Sequence, residues 1–418
     1  MRGLVIRKKI IKILIIMTTL IVISSSIIQY YCYAKESKMS MKKEIEFYKK
    51  IAYSEQEWIK SIQLSNGAIP LTESKSTTFN VIPYFSSIAA ISLLKDVNHK
   101  EYNEHVKQYM TWYFNHLNTK EEDIYNGQGT IYDYKIIVKD GIVVEEKSKG
   151  KYDSADSYAA LYIILLNQYY EISKDYEYLI ENSECVYDII KVMLNCIDYD
   201  GLSIVKHEYK IKYLMDNTEV NYAIKEAIKL LENVYIKNLL SYTDEYKEAI
   251  SLKEELKKVI IKNKDSLQSK LWNRKEKRYE IGIDIKNKVI KFQGWNKFYP
   301  DAVAQLYPII YEVADLKDKN IVNLYRKFCE KYKWEELEHY ENNDSDFYWC
   351  SIVYAGAVMQ DEVKVKGFME CYKEKVMINR KYPLHVAEAA WVIKACDFMV
   401  KYYEKKMRFI DPLSIIEI

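Results

Sequence analysis

Residues 154–166 of the chain read SADSYAALYIILL. The segment opens with Ser154 and Asp156, and from Ala159 onwards it consists almost entirely of small and apolar residues. A helix with this composition has no polar face, so it must be enclosed by other elements rather than lie at a surface. The segment therefore predicts an inner helix of a larger helical assembly.

Five further segments share this polar or proline-marked start and apolar continuation. They read IPYFSSIAAISLL from Ile82, NTEVNYAIKEAIKLL from Asn217, YPDAVAQLYPIIYEV from Tyr299, SDFYWCSIVYAGAVM from Ser345 and LHVAEAAWVIKACDF from Leu384. A second helical segment precedes each of the six, over 43–64, 101–117, 178–196, 243–271, 319–333 and 361–376. Hairpins of this kind bury their apolar faces only against their neighbours. We predict an all-α fold, an (α/α)6 barrel in which the first hairpin packs on the last.

The connections into the inner helices are long, and those that leave them are short. All the long loops should therefore gather where the inner helices begin. Residues 131–146 alternate around Asp140-Gly141, which is a strong hairpin signal. A similar pattern spans 278–295, and a weaker one follows Asp200-Gly201. These patterns predict small β-hairpin excursions at the rim, which either wall a cleft or cap the end of the barrel.

Charge and the N-terminus restrict the partners and the location. The 62 Lys and Arg residues nearly balance the 60 Asp and Glu residues, so the chain lacks the basic surface that nucleic-acid binding requires. A basic start, an uncharged run over 13–28 and Ala34 predict a signal peptide over 1–34. An uncleaved membrane anchor is the alternative, although the run is shorter than the ~20 residues of a comfortable span. We expect a toroid domain over 40–405 and a tail over 406–418, outside the cell or on the outer face of its membrane.

The chain carries no sequence signature of a metal or cofactor site. Nucleotide-binding, dinucleotide-binding and metalloprotease motifs do not occur in it. His385 and Glu388 have a spacing that could hold a metal ion, but no further ligands can be named, so we predict no cofactor and no metal. The cysteines beyond residue 34 form no C-x-x-C pair, and we expect free thiols, although export also permits disulfides.

Acidic residues mark most of the predicted inner-helix starts. They are Asp153, Asp156, Glu219, Asp301, Asp346 and Glu388. If the helices surround one axis, these carboxylates converge on one basin. Glycoside hydrolysis needs two carboxyl groups, one to protonate the leaving oxygen and one to activate water or attack the sugar. Alternatively, each acid caps its own helix.

The expected protonation states suggest a role for each acid. Asp156 lies in a first helical turn, where the helix dipole stabilises the anion, so it is our candidate base. Its replacement by Asn should then abolish turnover with little loss of stability. Glu73, in the loop before the first inner helix, is the candidate acid, and Glu219 competes for that role. Sugar platforms are expected among Tyr84, Tyr158, Trp295, Tyr299, Trp349 and Trp391, with His385 nearby.

The six-hairpin succession resembles the six-hairpin, (α/α)6-toroid glycosidase superfamily over about 43–403. KYDSADSYAA, residues 151–160, is similar to the D-x-D-x-x-x-A motif of glycoside hydrolase family 8, although its aspartates are three apart rather than two. Thr72-Glu73-Ser74 stands where that family carries its acid. The resemblance implies an inverting glycosidase with two catalytic carboxylates that acts as a monomer on a polysaccharide or oligosaccharide.

Two other functions fit the same sequence. A non-catalytic carbohydrate-binding or surface polysaccharide assembly protein could keep the toroid and its aromatic platforms without an opposed acid pair. A polysaccharide lyase would need a basic residue beside a Tyr in the cleft, and His385 is the one basic residue at these helix starts.

Overall fold

The computed structural model describes residues 2–74, 76–95, 99–341 and 347–410. The chain packs as two units, the larger over 51–396 and the smaller over 1–50 and 397–418. The larger unit contains the helical hairpins and has the (α/α)6 toroid fold, which confirms the predicted fold class. Everything that concerns the candidate site below lies in this larger unit.

The helices alternate between an outer and an inner set. In chain order they are α1 (Arg2–Ile62), α2 (Pro83–Leu93), α3 (His99–Phe114), α4 (Ala155–Ser173), α5 (Tyr176–Glu181), α6 (Ser183–Asn195), α7 (Leu214–Leu230), α8 (Asp244–Ser266), α9 (Tyr307–Ile310), α10 (Lys319–Lys331), α11 (Glu338–Glu341), α12 (Ser351–Val358), α13 (Glu362–Tyr372) and α14 (Val386–Phe409). The inner set is α2, α4, α7, α9, α12 and α14. Single helical turns add Leu231–Ile236, Leu267–Leu271, Phe298–Ala302, Trp334–Glu336 and Lys373–Met377.

The inner helices are enclosed, as their composition requires. Every residue of α4 from Ala155 to Asn167 is buried. The first and last inner helices meet, because the ring centroids of Phe85 and His385 are 4.7 Å apart. The Val386 N–H also donates to the Leu71 carbonyl at 2.9 Å. The first hairpin therefore packs against the last, as predicted.

Two inner helices differ from the predicted segments. The fourth is broken: the helical turn Phe298–Ala302 contains the extended Tyr299, and the helical stretch that follows is interrupted before α9 begins at Tyr307. Pro308 is tolerated there because it occupies the first turn of α9, where its missing N–H costs nothing. The fifth begins at Ser351 rather than Ser345, since Trp349 has a left-handed φ of 56° that interrupts any helix before it.

Three small antiparallel sheets form at the rim. Their strands are β1 (Thr78–Val81), β2 (Tyr134–Lys139), β3 (Ile142–Ser148), β4 (Ile211–Tyr213), β5 (Trp272–Asn273), β6 (Arg278–Tyr279), β7 (Gly282–Asp284) and β8 (Val289–Ile290). They pair as β1-β2-β3, β4-β7-β8 and β5-β6. The two stronger hairpin predictions are confirmed as β2-β3 and β7-β8. The weaker third pattern, over 202–214, forms one antiparallel bridge within itself, between Lys206 and Tyr209, and its strand β4 also pairs with β7.

The smaller unit contains parts of α1 and α14. Within it the rings of Tyr48 and Tyr403 stack at 6.1 Å, and Lys49 Nζ lies 3.5 Å from Glu404. Helix α1 is continuous, so the predicted boundaries at 34 and 40 fall inside one helix. Within the described residues, no helix combines the length and apolar character needed to cross a membrane. Most of the predicted tail, 411–418, lies outside the described residues.

Candidate active site

A cavity of about 1150 Å³ opens where the inner helices begin. All six inner segments contribute to its lining, for example through Tyr84, Tyr158, Asp216, Tyr307, Ser351 and Glu388. The inner helices begin around one axis, so the side chains of their first turns meet in this cavity. The toroid thus gathers the predicted basin at the end of the barrel that carries the long connections.

The cavity includes many of the residues singled out from the sequence. Those that line it are Asp153, Tyr84, Tyr158, Tyr299, Trp349, His385, Glu388 and Trp391. Asp156, Glu73, Glu219, Trp295 and Asp301 are not among its lining residues. Asp346 lies outside the described residues.

Glu388, in the first turn of α14, is buried, and the backbone of the neighbouring inner segment holds it in place. Its Oε1 accepts the Trp349 N–H at 2.9 Å, and its Oε2 accepts the Cys350 N–H at 2.6 Å. The left-handed backbone at Trp349 aims these two successive N–H groups at one carboxylate. Burial raises the pKa of Glu388, while the N–H groups of Cys350 and Trp349 oppose that rise by stabilising the anion.

Asp216, in the first turn of α7, is a lining carboxylate that the sequence analysis missed. Burial raises its pKa well above the usual value, and the negative charges of Asp156, Glu219 and Asp153 raise it further. The signal was present in the sequence. The helix was predicted to begin at Asn217, whereas it begins at Leu214, and the earlier start places Asp216 in the first turn, where it lines the cavity.

Asp156 is fully buried, and its own neighbourhood occupies both of its oxygens. Oδ1 accepts the Ser154 hydroxyl at 2.5 Å and the Ser157 N–H at 2.8 Å, while Oδ2 accepts the Ser203 hydroxyl at 2.6 Å. Burial raises its pKa to about 6 despite these three donors. The carboxylate therefore braces the start of α4 against the segment that contains Ser203, away from the lining of the cavity.

Glu219 lies one turn after Asp216 and supports the floor of the cavity. Its Oε1 accepts the hydroxyls of Tyr84 at 2.7 Å and Tyr311 at 3.2 Å. Burial raises the pKa of Glu219 to about 7. The carboxyl holds the Tyr84 ring, which lines the cavity.

The remaining predicted residues lie away from the cavity for identifiable reasons. Glu73 is exposed in its loop. The Asp301 carboxylate is buried and accepts backbone N–H groups from Gln293 and Gly294, which fixes the preceding turn. The Trp295 ring lies under the Lys327 ammonium, whose Nζ is 5.1 Å from the ring centroid.

An aromatic wall stands beside Glu388. The rings of Tyr299 and Trp349 lie 4.9 Å apart at 30°, and the Tyr299 side chain is 53% exposed. Phe347 packs edge-on against Trp349 at 5.8 Å. An exposed aromatic face next to carboxylates is the arrangement on which a sugar ring stacks through its C–H face while its hydroxyls meet polar groups.

The lining is strongly acidic. It holds the carboxylates of Asp133, Asp153, Asp216 and Glu388, and Lys297 is the one Lys or Arg among the described lining residues. The Lys297 ammonium lies 3.7 Å from the Asp301 carboxylate, which partly neutralises its positive charge. Because like charges disfavour ionisation, this excess of negative charge favours the protonated form of a carboxyl group in the cavity. No group of three or more side chains that could hold a metal ion occurs in the described part of the chain.

Comparison of the sequence with protein-family models and with curated proteins finds no match. Solved structures do match. A wild-type glycosidase aligns at 8% identity with a TM-score of 0.52, over 85% of this chain and 98% of its own. An alpha-amylase from Clostridium perfringens aligns at 10% identity with a TM-score of 0.51, over 84% and 97%. A family 63 mannosylglycerate hydrolase from Thermus thermophilus, solved with glucose, aligns at 10% and 0.50, over 83% and 99%.

These matches establish the class of fold. The chain has the (α/α)6 toroid fold of these solved glycosidases, so the predicted resemblance to the six-hairpin glycosidases is confirmed at the level of the fold. At identities this low the likeness concerns the fold alone, and membership of family 8 stays a prediction. The function has to be argued from the cavity.

Proposed function

We propose that the chain is a glycoside hydrolase in which Asp216 is the general acid and Glu388 the general base. One observation carries the proposal: carboxylates from the third and the sixth inner helices line the same cavity. In a closed ring of six helices, the third and sixth stand opposite each other. A glycosidic bond between them would meet one carboxyl group on each side, as hydrolysis requires.

The environments of the two carboxyls support different roles. Burial and three neighbouring carboxylates raise the pKa of Asp216, which keeps its proton available for the leaving oxygen. Two backbone N–H groups stabilise the ionised form of Glu388, so it can accept a proton from water. Burial raises the pKa of Glu388 as well, but its N–H donors oppose that rise, whereas the negative neighbours of Asp216 add to the rise there. This difference in surroundings assigns the acid to Asp216 and the base to Glu388.

The substrate class follows from the wall and the volume of the cavity. Tyr299 and Trp349 offer a stacking surface for a sugar ring beside Glu388. A cavity of about 1150 Å³ has room for more than a single sugar. We therefore propose a polysaccharide or an oligosaccharide as the substrate.

The test is hydrolysis of p-nitrophenyl glycosides and of a panel of oligosaccharides and polysaccharides by the purified chain. Asp216→Asn and Glu388→Gln should each lower kcat by about 100-fold or more, as expected for loss of a general acid or base. Asp315→Asn and Glu312→Gln, two exposed acids outside the cavity, are the matched controls. Sugar binding without turnover by the wild-type chain would instead identify a carbohydrate-binding protein.

We also propose that hydrolysis inverts the anomeric centre. Inverting enzymes hold their carboxyl groups ~6.5–9.5 Å apart to admit a water, and residues on opposite walls of a cavity suit that wider spacing. The first-formed anomer, followed by proton NMR before mutarotation, gives the answer. A product with the anomeric configuration of the substrate would exclude this mechanism.

Export is a further part of the proposal, and it rests on the sequence. The basic start, the uncharged run and Ala34 support a signal peptide, with an uncleaved anchor as the alternative. Expression with a C-terminal tag distinguishes them. Cleaved protein in the medium indicates a signal peptide, and full-length protein in the membrane fraction indicates an anchor. Protein that stays in the cytoplasm would contradict both.

A further inference from the structure

Two buried polar atoms of residues that line the cavity have no hydrogen-bond partner among the described residues. They are Nε2 of His385 and Oγ of Ser351, on residues only 3% and 2% exposed. Both residues line the cavity. A buried polar group in a native protein is nearly always paired, so an unpaired one at a binding site points to a ligand or a bound water.

The hydrogen-bonding role of His385 can be assigned. Its Nδ1 accepts the Ala387 N–H at 3.3 Å, so the neutral ring carries its proton on Nε2. The rings of Phe85 and Phe347 pack against it at 4.7 and 5.3 Å and fix its orientation. Burial lowers the pKa of His385 to about 3, so the ring is neutral at neutral pH. His385 therefore presents one oriented N–H donor to the cavity.

The donor is close to the proposed base without touching it. Nε2 lies 3.7 Å from Oε1 of Glu388, beyond the range of a direct hydrogen bond. One water could accept from Nε2–H and donate to Oε1, and this would satisfy both groups. Ser351 directly follows Cys350, whose N–H binds the other oxygen of Glu388, and Ser351 and Glu388 line the same cavity.

We propose that His385 and Ser351 hold the attacking water on Glu388. The inference rests on the proposed hydrolase function and extends it to two positioning residues. The oxygen of this water bonds to the anomeric carbon as the bond to the leaving oxygen breaks. Glu388 takes the proton of the water, and Asp216 gives its own to the leaving oxygen. His385 keeps its proton throughout and only donates a hydrogen bond.

The variants His385→Phe and His385→Gln separate this role from packing. Phenylalanine keeps a flat ring between Phe85 and Phe347 but has no donor, whereas glutamine can place an N–H near the position of Nε2. The substrate is the p-nitrophenyl glycoside that the wild-type chain hydrolyses fastest. We expect His385→Phe to lower kcat about tenfold, the effect of one neutral hydrogen bond, with KM unchanged. His385→Gln should recover part of the loss.

Ser351→Ala tests the proposed hydrogen bond from Ser351 to the water, and we expect a smaller loss of kcat than in His385→Phe, with KM unchanged. Ser87→Ala is its matched control, since Ser87 is buried on the inner helix α2 and bonds Tyr109 outside the cavity. His116→Phe controls for the loss of a histidine, because His116 contacts Trp112 and Glu146 away from the site. A rise in KM without a fall in kcat would mean that the two residues bind a sugar hydroxyl, which overturns the proposal.

A second measurement does not depend on turnover. A high-resolution crystal structure of the wild-type chain should contain an ordered water bonded to Nε2 of His385 and Oε1 of Glu388, and the structure of His385→Phe should lack it. An active enzyme without this water overturns the inference alone. A wild-type chain that hydrolyses no glycoside overturns the proposed function, and the water site with it.

Discussion

Glu388 accepts the backbone N–H of Trp349 at 2.9 Å, so a side chain of the last inner helix fixes the start of the fifth. The same carboxylate oxygens are the ones that the proposed reaction needs. Glu388 therefore serves both the proposed catalysis and the stability of the fold, and its replacement should affect both.

Glu388→Gln should destabilise the fold as well as stop turnover. The amide can accept at one position only, and its NH2 group would meet the N–H of Trp349 or Cys350. An unsatisfied buried donor costs about 1–3 kcal/mol, so urea unfolding should show a loss of that size. The exposed Glu312→Gln should stay within about 0.5 kcal/mol of wild type. Unchanged stability in Glu388→Gln would mean that the two N–H groups do not depend on this carboxylate.

The pH dependence of kcat/KM should report the charge around Asp216. The acid must be protonated, so activity falls as pH rises through its pKa. The negative charge of Asp153 is one of the causes that raise this pKa. Asp153→Asn removes that charge, so the pKa falls and the alkaline limb moves to lower pH. Asp315→Asn should leave the limb in place, and a shift to higher pH in Asp153→Asn would contradict the assignment.

Asp156→Asn distinguishes a catalytic role for this residue from a structural one. A catalytic base would lose turnover with little loss of stability, as the sequence predicts. The three donors on its carboxylate lead us to expect a stability loss of about 1–3 kcal/mol with turnover largely kept, because one oxygen would become an NH2 group that faces donors. Melting temperature and kcat measured on the same preparation decide between them.

The stabilising contribution of Asp156 should also depend on pH. Burial raises its folded-state pKa from 3.8 to about 6, so the folded chain binds a proton more readily than the unfolded chain. Stability from this group is then fully present below about pH 4 and decreases as pH rises to about 6. The advantage of wild type over Asp156→Asn should be larger at pH 4 than at pH 7. A larger advantage at pH 7 would imply a lowered pKa instead.

Two helical glycines give opposite predictions for the same substitution. A Cβ on Gly356 in α12 would lie 2.8 Å from the Trp334 ring, whereas one on Gly367 in α13 would meet nothing closer than 3.5 Å. Gly356→Ala should cost about 1–3 kcal/mol through overpacking. Gly367→Ala should add about 0.4–1 kcal/mol by restricting the unfolded chain. Denaturant unfolding of the two variants side by side measures the difference, and equal effects would contradict the packing described for Trp334.

The aromatic rings of Tyr299 and Trp349 should contribute to substrate binding. Tyr299→Ala removes an exposed ring that faces the cavity, and loss of one stacking surface should raise KM several-fold with a smaller effect on kcat. Tyr242→Ala, an exposed tyrosine outside the cavity, is the control. An effect confined to kcat would mean that Tyr299 does not bind ground-state substrate.

The hairpin repeat predicts the toroid because apolar periodicity is a local signal. The site was predicted less well because it depends on where a helix begins, and a shift of one turn decides which acid faces the axis. Asp216 was missed because its helix begins at Leu214, three residues before the predicted start. Asp156 was favoured, although the hydroxyl of Ser203, 47 residues later in the chain, donates to its second carboxylate oxygen. Partners supplied from distant segments leave no pattern near the residue itself.

The rim sheets join the connections in pairs. Strand β1 belongs to the connection before the first inner helix and pairs with β2 of the next connection, while β4 pairs with β7 across the third and fourth. Each such sheet therefore joins two consecutive connections through backbone hydrogen bonds. A transplant of residues 131–150 alone would leave β1 with an unpaired edge, so an exchange of this connection should move 71–82 and 131–150 together.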